Sequence, residues 1–320
     1  MARVSGSYQT YNAVANREDL SNMIYNIDPS DTPFMSAVGR RDATNVQFDW
    51  QTDVLPAVNL SNANVEGFIT SFTLATPTAR LHNVTQISTR NATVTGSQEA
   101  ANPAGKKDEM AYQMALQSKA LKRDMESIAV QTQPLSFGSG GVGTETARTT
   151  RALEHWLSNN VSVANTMGGT GYTAPASETA AITDGTQRAF TETLLKTAMQ
   201  LAYTRGAEPT ICMVGPGQKM VLSGFTGRAN TREIIKADEI LATASVYGSD
   251  FGDLKVVPSR WCRNRSAFLI DPEYAAIAYY RPFQKKPMPI SGDAESYLVL
   301  AEWGLEVRNP SAHQLIADLS

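Results

Sequence analysis

Lys106 to Gln131 constrains the fold more than any other stretch of this chain. The segment KKDEMAYQMALQSKALKRDMESIAVQ has no Gly or Pro and is built from strong helix formers. It predicts one continuous helix, a rod of about 40 Å. Met110, Met114, Leu121, Met125 and Ile128 recur at helical spacing and define one apolar face. Lys119, Lys122, Arg123, Asp124 and Glu126 are expected mostly on the opposite face, with Lys122 meeting Glu126 one turn on. Asp108 and Glu109 fall in the first turn, where the helix dipole favours anions. Asn102-Pro103-Ala104-Gly105 reads as a start and Gln133-Pro134 as a stop. A helix of this length needs a broad surface to lie against.

The segments upstream do not look self-sufficient. Arg17 to Ile27 predicts a short amphipathic helix, with Leu20, Met23, Ile24 and Ile27 on one side. Thr32-Pro33 predicts an N-cap and first helical residue of a helix ending near Gly39. Val46 to Asp53 alternates, with Val46, Phe48 and Trp50 facing one way, as a strand with one buried face does. Arg80 to Thr95 is rich in β-branched residues and reads as a second strand. Between them Val54 to Ala79 carries Pro56, Gly67 and Pro77, a loop too long to be a mere connection. Two strands and a polar tip suggest a projecting hairpin.

Downstream, Gln133 to Gly143 reads as a Gly-rich link, Thr144 to Asn159 as a helix, and residues 160–185 as a loop. Gln187 to Thr204 predicts a helix and Pro216 to Leu222 a short one. Thr210 to Val214 reads as a buried strand, followed by strands at Glu239–Tyr247, Leu254–Pro258, Ala267–Ile270, Ala275–Tyr280 and Tyr297–Arg308. The class is α+β.

Composition excludes several roles. Hydrophobic residues make up 42% of the chain, enough for a sizeable core, and the net charge is −3 with no basic run. Gripping nucleic acid needs clustered Lys and Arg. No apolar run approaches a membrane span, and the polar N-terminus lacks the apolar centre of a signal peptide. The expected compartment is cytoplasmic, with Cys212 and Cys262 as free buried thiols.

Gly138-Ser-Gly-Gly-Val-Gly143 spells G-x-G-x-x-G, but no strand precedes it and no second strand follows its helix, so a flexible link fits better than a dinucleotide site. Gly168-Gly169-Thr170-Gly171 lacks the Lys-Ser/Thr of a phosphate loop. His82, His155 and His313 have no ligand-spaced partners and no G-x-S-x-G elbow accompanies them. Asp271, Glu273, Asp293 and Glu302 are expected near strand ends in turn and cap roles, and Phe48, Trp50 and Trp303 in the core. Catalytic, cofactor-binding and metal residues are expected to be absent.

Taken in order, several short pieces carry a family pattern. They are Thr32-Pro33-Phe34, then Trp50, Asp53 and Leu55 leading to Glu66-Gly67. Arg80, Asn83, Thr85, Gln86 and Ile87 follow, then Gly105, Asp108, Glu109 and Leu121-Lys122-Arg123-Asp124 with Glu126. The last are Gly252, Leu254, Val256-Val257-Pro258, Arg260, Asp271, Arg281-Pro282, Gly292-Asp293, Glu302 and Asn309. Over nearly its whole length the chain resembles the major capsid (major head) proteins of tailed double-stranded-DNA bacteriophages, with the Hong Kong ninety-seven fold.

The resemblance implies an N-terminal arm at 1–45, an E-loop projection at 46–95, and a P-domain at 96–186 with spine helix 106–131. It implies an A-domain at 187–290 and a C-terminal P-domain strand and tail at 291–320. The implied function is structural: hexamers and pentamers of the chain build an icosahedral virion shell around packaged DNA, assembled in the host bacterial cytoplasm. Scaffolding, portal and decoration proteins are the implied further partners, with no membrane, no cofactor and no sequence-specific DNA contact. Some members of that family fasten subunits by an isopeptide bond from an E-loop Lys, and the first Lys here is Lys106. The alternatives are an encapsulin-like compartment shell and, from another class, a nucleotide-dependent enzyme using Gly138–Gly143.

Overall fold

The computed structural model describes residues 29–69, 74, 77–101, 106, 108–141, 143–158, 166–225, 246–289 and 292–320. The helix expected over Arg17–Ile27 lies outside them, as does most of the strand expected over Glu239–Tyr247.

The chain enters through α1 (Pro33–Ala37) and β1 (Gly39–Asp42). A hairpin follows as β2 (Gln47–Thr52) and β3 (Ala79–Val84), which among the described residues pair antiparallel only with each other. The run expected as one strand over Arg80–Thr95 divides at Thr85. Its second half is β4 (Gln86–Thr95), which belongs to a different sheet. After α2 (Gly96–Ala100) comes the long helix α3 (Glu109–Val130), capped by Asp108, whose carboxylate accepts the Ala111 N–H. The cap is thus Asp108 itself and not the Asn-Pro-Ala-Gly segment before it, which the described residues do not include.

The helix expected over Thr144–Asn159 shortens to α4 (Leu153–Ser158). Residues 133–152 instead form an irregular hairpin, bridged at Ser136–Thr149 and Ser139–Thr146. Gly138 and Gly143 take the left-handed conformation there. The Thr run prefers extended backbone and finds partners in it: the Thr149 hydroxyl donates to the Pro134 carbonyl, and Thr150 Oγ1 accepts the Leu305 N–H. Next are β5 (Thr166–Met167) and α5 (Glu192–Thr204). The latter starts five residues later than expected, because Thr191 is its cap and Arg188 is bridged to Leu319. Then follow β6 (Ile211–Val214), α6 (Pro216–Ser223), β7 (Val246–Ser249), β8 (Gly252–Pro258) and β9 (Ala267–Ile270). Last come β10 (Ala275–Pro287), β11 (Ala294–Val307) and β12 (Gln314–Ile316).

Two sheets organise these elements. The first has the order β1-β10-β11-β4, with β1 parallel to β10 and the other pairs antiparallel. The second has the order β5-β12-β9-β6-β8-β7. Within the segment expected as a C-terminal strand and tail, β12 lies between β5 and β9, and Leu315, Ile316 and, beyond the strand, Leu319 are fully buried.

The main core lies between the sheets. It gathers Leu121, Met125 and Ala129 of α3, Leu153 and Trp156 of α4, Val299, Trp303 and Leu305 of β11, and Met213, Phe268 and Leu315 of the second sheet. A second core beneath α5 and α6 covers the other face of that sheet through Cys212, Val214, Leu269 and Ile316. Both faces of β6 are thus buried, which is why Thr210–Val214 reads as continuous apolar sequence and not as alternation. The aromatic trio takes the expected place: Trp303 and Phe48 are buried and Trp50 is half-buried.

Candidate assembly surfaces

The β2–β3 hairpin has a hydrogen-bonded base and a bare connecting segment. In its described tip, residues 53–69 hold no strand or helix, only turns at Leu60–Ser61 and Glu66–Gly67. Four of its apolar side chains are almost bare: Leu55, Leu60, Ile69 and Leu74 are each more than 90% exposed (91, 96, 95 and 98%). Val54, Val58 and Val65 are nearly as bare. Single exposed apolar residues are ordinary, but here seven lie bare along one stretch of 21 residues, 54–74.

The root is tied down by polar groups aimed at the chain's turn. Thr85 sits where β3 ends and β4 begins. Its hydroxyl donates to Glu302 Oε1 at 2.9 Å, and its N–H to the Val46 carbonyl at 2.8 Å. Beside it, Asn83 donates to the carbonyls of Leu305 and Arg151 and accepts the N–H of Arg151 at 3.0 Å. The Gln86 side-chain carbonyl accepts from Gln133 and from the Thr150 N–H. Trp50 Nε1 donates to the Arg308 carbonyl, and the Phe48 ring rests on Gly304, where a Cβ would lie 2.6 Å from a ring carbon.

Glu302 is not near a strand end. It lies within β11, buried, and accepts from Arg148 (2.8 Å) and Arg281 (2.6 Å) as well as Thr85. A buried carboxylate needs such partners to remain charged. Asp271 does take the expected cap role, accepting the Glu273 N–H.

α1 is anchored by another buried carboxylate. Glu126 was expected on the outer face with Lys122. It is instead fully buried, and its two oxygens accept the N–H groups of Phe34 (2.7 Å) and Met35 (2.8 Å). These are orphan donors in the first turn of α1. Thr32 stands at the N-cap position but makes no side-chain cap bond, so Glu126 supplies the cap from 92 residues away. The reason for its burial is legible in hindsight: Ala129 and Val130, three and four residues on, continue the apolar surface around Glu126. Burial pushes its carboxyl up to about 7, against the two N–H bonds that hold it down. Phe34 itself is buried in the main core, and Trp261 Nε1 donates to the Asp31 carbonyl.

Each histidine is engaged by groups of its own chain. His155 Nδ1 accepts from Arg151 Nε and its Nε2 donates to the Ala180 carbonyl; burial holds its pKa down to about 4. His313 Nδ1 accepts the Asp271 N–H, and burial again holds it down to about 4. His82 pairs with Glu178 at 3.1 Å and stacks on Phe137. A third buried carboxylate, Glu154, accepts from Arg263 and Ser266. Asp318, in the left-handed conformation, accepts from Arg265 and from the N–H groups of Gly169 and Gly185, which ties the 166–188 loop to the C-terminal strand.

Gly138–Gly143 sits in the 133–152 hairpin, with no strand-to-helix phosphate turn around it. The two thiols are free, buried and pushed up to about 12. Among the described residues no cluster of His, Cys, Asp and Glu could hold a metal, and no helix is long and apolar enough to cross a membrane.

Comparison with known proteins places the chain among phage capsid subunits. The chain is 24% identical to the major capsid protein of Escherichia phage Phieco32 over 341 residues, covering 95% of each. Its fold matches a subunit of the Cyanophage A-1(L) capsid with a TM-score of 0.67 at 11% identity, covering 97% of this chain and 98% of that one. It matches a chain of Microbacterium phage Oxtober96 with a TM-score of 0.62 at 11% identity and the same coverage. The family model described as SU10 major capsid protein matches residues 4–320. On that match across nearly all of its length, the chain belongs to the SU10 major capsid protein family, the tailed-phage capsid fold that its sequence resembles.

Proposed function

We propose that this chain is the wall subunit of a tailed-phage head, assembling as hexamers and pentamers into a closed icosahedral shell around packaged double-stranded DNA. The observation that carries this is the bare apolar tip on a rigid root. Hydrophobic burial at the rate of roughly 25 cal/mol per Å² makes such a tip a fastening once a neighbouring copy covers it. Each contact is modest, and repetition around a closed shell makes the whole firm.

Residues 1–45 lead in as the arm and the β2–β3 hairpin with its tip acts as the projection, whose 86–95 end returns into the four-stranded sheet as β4. The six-stranded sheet with α5 and α6 acts as the domain nearest the capsomer axis, and the spine helix with the four-stranded sheet makes up the wall plate between them. The net charge of −3 suits a wall that contains DNA without gripping it. Assembly in the host cytoplasm, with scaffolding and portal proteins, fits this role. So do decoration proteins, which accompany the major capsid proteins of phage G, a structure this fold resembles at a TM-score of 0.51. The chain's work is structural and not catalytic.

The test is electron microscopy of the purified protein and of a variant in which a short Gly-Ser link replaces 54–77. The wild type is expected to form closed particles. The variant is expected to remain folded, with unchanged thermal stability, and to form none. Complete shells from the variant would overturn the role given to the tip. Double-stranded DNA inside native particles is expected of a phage head; enzyme cargo would point to an encapsulin-like compartment.

A further inference from the structure

We propose that a groove on the flank of α3 away from the core is the seat of the chain's own residues 17–28, which lead into α1. The side of α3 that meets the core carries Met110, Leu121 and Met125, all buried. At 100° per residue, Tyr112, Leu116 and Ala120 fall on a second track, round on the other side of the helix. They are half-buried and belong to none of the buried clusters of the described residues. Leu116, Ala120, Lys119 and Arg123 line the groove together with Pro29 and Ser30, and its volume is about 330 Å³. Lys119 is exposed and pairs with no acid among the described residues, and Arg123 lies against the Trp261 ring. The groove is therefore apolar at its floor and positive beside it.

The chain arrives at this groove from a fixed direction. Glu126 holds Phe34 and Met35 against the far half of α3, and Trp261 Nε1 donates to the Asp31 carbonyl. Pro29 and Ser30 then meet α3 nearer its start, at Leu116 to Arg123. Followed backwards from α1, the chain thus runs along α3 towards the N-terminus of that helix. Ile27 follows within roughly 7 Å of Pro29, even at full extension. Leu20, Met23, Ile24 and Ile27 recur at helical spacing, so one face of this stretch is apolar. Eleven residues, 17–27, would make a helix of about 16 Å, and the track from Tyr112 to Arg123 is about as long. The charges are complementary: Glu18, Asp19 and Asp28 face Lys119 and Arg123, with Arg17 alone of like sign. A second copy could offer the same chemistry, but the chain's own segment is tethered at the groove and so is present there at far higher effective concentration. The seat lies within one chain and stands whether or not the chain builds a shell.

Disulfide trapping in the full-length chain reads the seat directly. Two paired variants, Ile27→Cys with Ala120→Cys and Ile24→Cys with Leu116→Cys, are oxidised with diamide. Cys212 and Cys262 are buried and stay out of reach. Ile27→Cys with Met220→Cys, at an exposed position of α6, is the control. At least one groove pair is expected to close within the chain about tenfold or more faster than the control, read as a monomer band that has lost two free thiols. No closure at either groove pair, or closure no faster than the control, overturns the proposal. So does a bond found only between chains, seen as a dimer band, which would assign the groove to a second copy. If the paired variants do not fold, carbodiimide coupling of the wild-type chain decides it. A cross-link from Lys119 to Glu18, Asp19 or Asp28 within one chain is expected. Its absence, or its appearance only between isotopically light and heavy copies, overturns the proposal.

Discussion

Four buried ionisable side chains respond to acid in opposite directions. His155 and His313 are held down to about 4, so each adds stability that is fully present above its unfolded value near 6.5 and is lost as pH falls towards 4. Glu126 and Glu154 are pushed up to about 7, so each cost is greatest above 7 and relaxes as pH falls towards 4.5. Between 6.5 and 4.5 the pairs offset each other. His313→Asn keeps an acceptor for the Asp271 N–H but removes one of the acid-sensitive groups. It is expected to cost about 1–2 kcal/mol at pH 7. It should also tilt the stability profile between pH 6.5 and 4.5 towards greater stability in acid by about 1.4 kcal/mol per unit relative to wild type. Urea unfolding at several pH values measures both; parallel profiles would remove the role given to His313. At this scale the sequence was only partly legible. Cys212, Cys262 and the aromatic trio could be placed from their chemistry alone. Glu126 and Glu302 could not, because the N–H and guanidinium groups that make their burial tolerable come from distant parts of the chain.

Among the elements, α3 was the most legible, since periodicity and composition agree locally, although its start falls at Asp108, later than the Asn102–Gly105 segment read as the start. Its stripe does face the core, with Leu121 and Met125 fully buried. Leu121→Asp would bury a charge without a partner and is expected to cost several kcal/mol, read as loss of soluble folded chain. Unchanged thermal stability would contradict that placement. The turn at Thr85 was illegible for the opposite reason. Nothing in Arg80–Thr95 breaks a strand, and the division is imposed by Glu302, 217 residues on, and by the 133–152 hairpin. The same hairpin defeated the helix expected over Thr144–Asn159, because Thr and Arg side chains there find better partners on β11 and in the turn. Gly304 is where the projection is seated. Gly304→Ala would set a methyl against the Phe48 ring, and overpacking of this kind costs about 1–3 kcal/mol. The expected signature is lower thermal stability together with altered Trp fluorescence, since Trp50 stacks on Phe48. An unperturbed spectrum would mean that the hairpin does not rest on this glycine.

For the whole molecule, the mode of fastening can be tested by what the projection lacks. Residues 46–95 contain no Lys, and the guanidinium groups of Arg80 and Arg90 stay protonated and cannot replace an amine nucleophile. Assembled particles boiled in detergent are therefore expected to release one band near 34.6 kDa. A ladder of linked chains surviving reductant, and traced by mass spectrometry to the projection, would refute this.

The plate formed by β10 and β11 also has a mechanical character. Tension along its strands loads many rungs of the ladder together in shear, which resists stretching far better than peeling them one by one. Flexing is another matter. The ladder slips register between Tyr279 and Arg281, and again between Arg281 and Gln284, so the plate carries a crease there. Arg281 grips Glu302, and Glu302 grips the elbow at Thr85. The crease and the fastened root of the hairpin thus meet at one buried carboxylate, so a load that bends the plate at the crease falls first on the Arg281–Glu302 pair and through it on the root at Thr85.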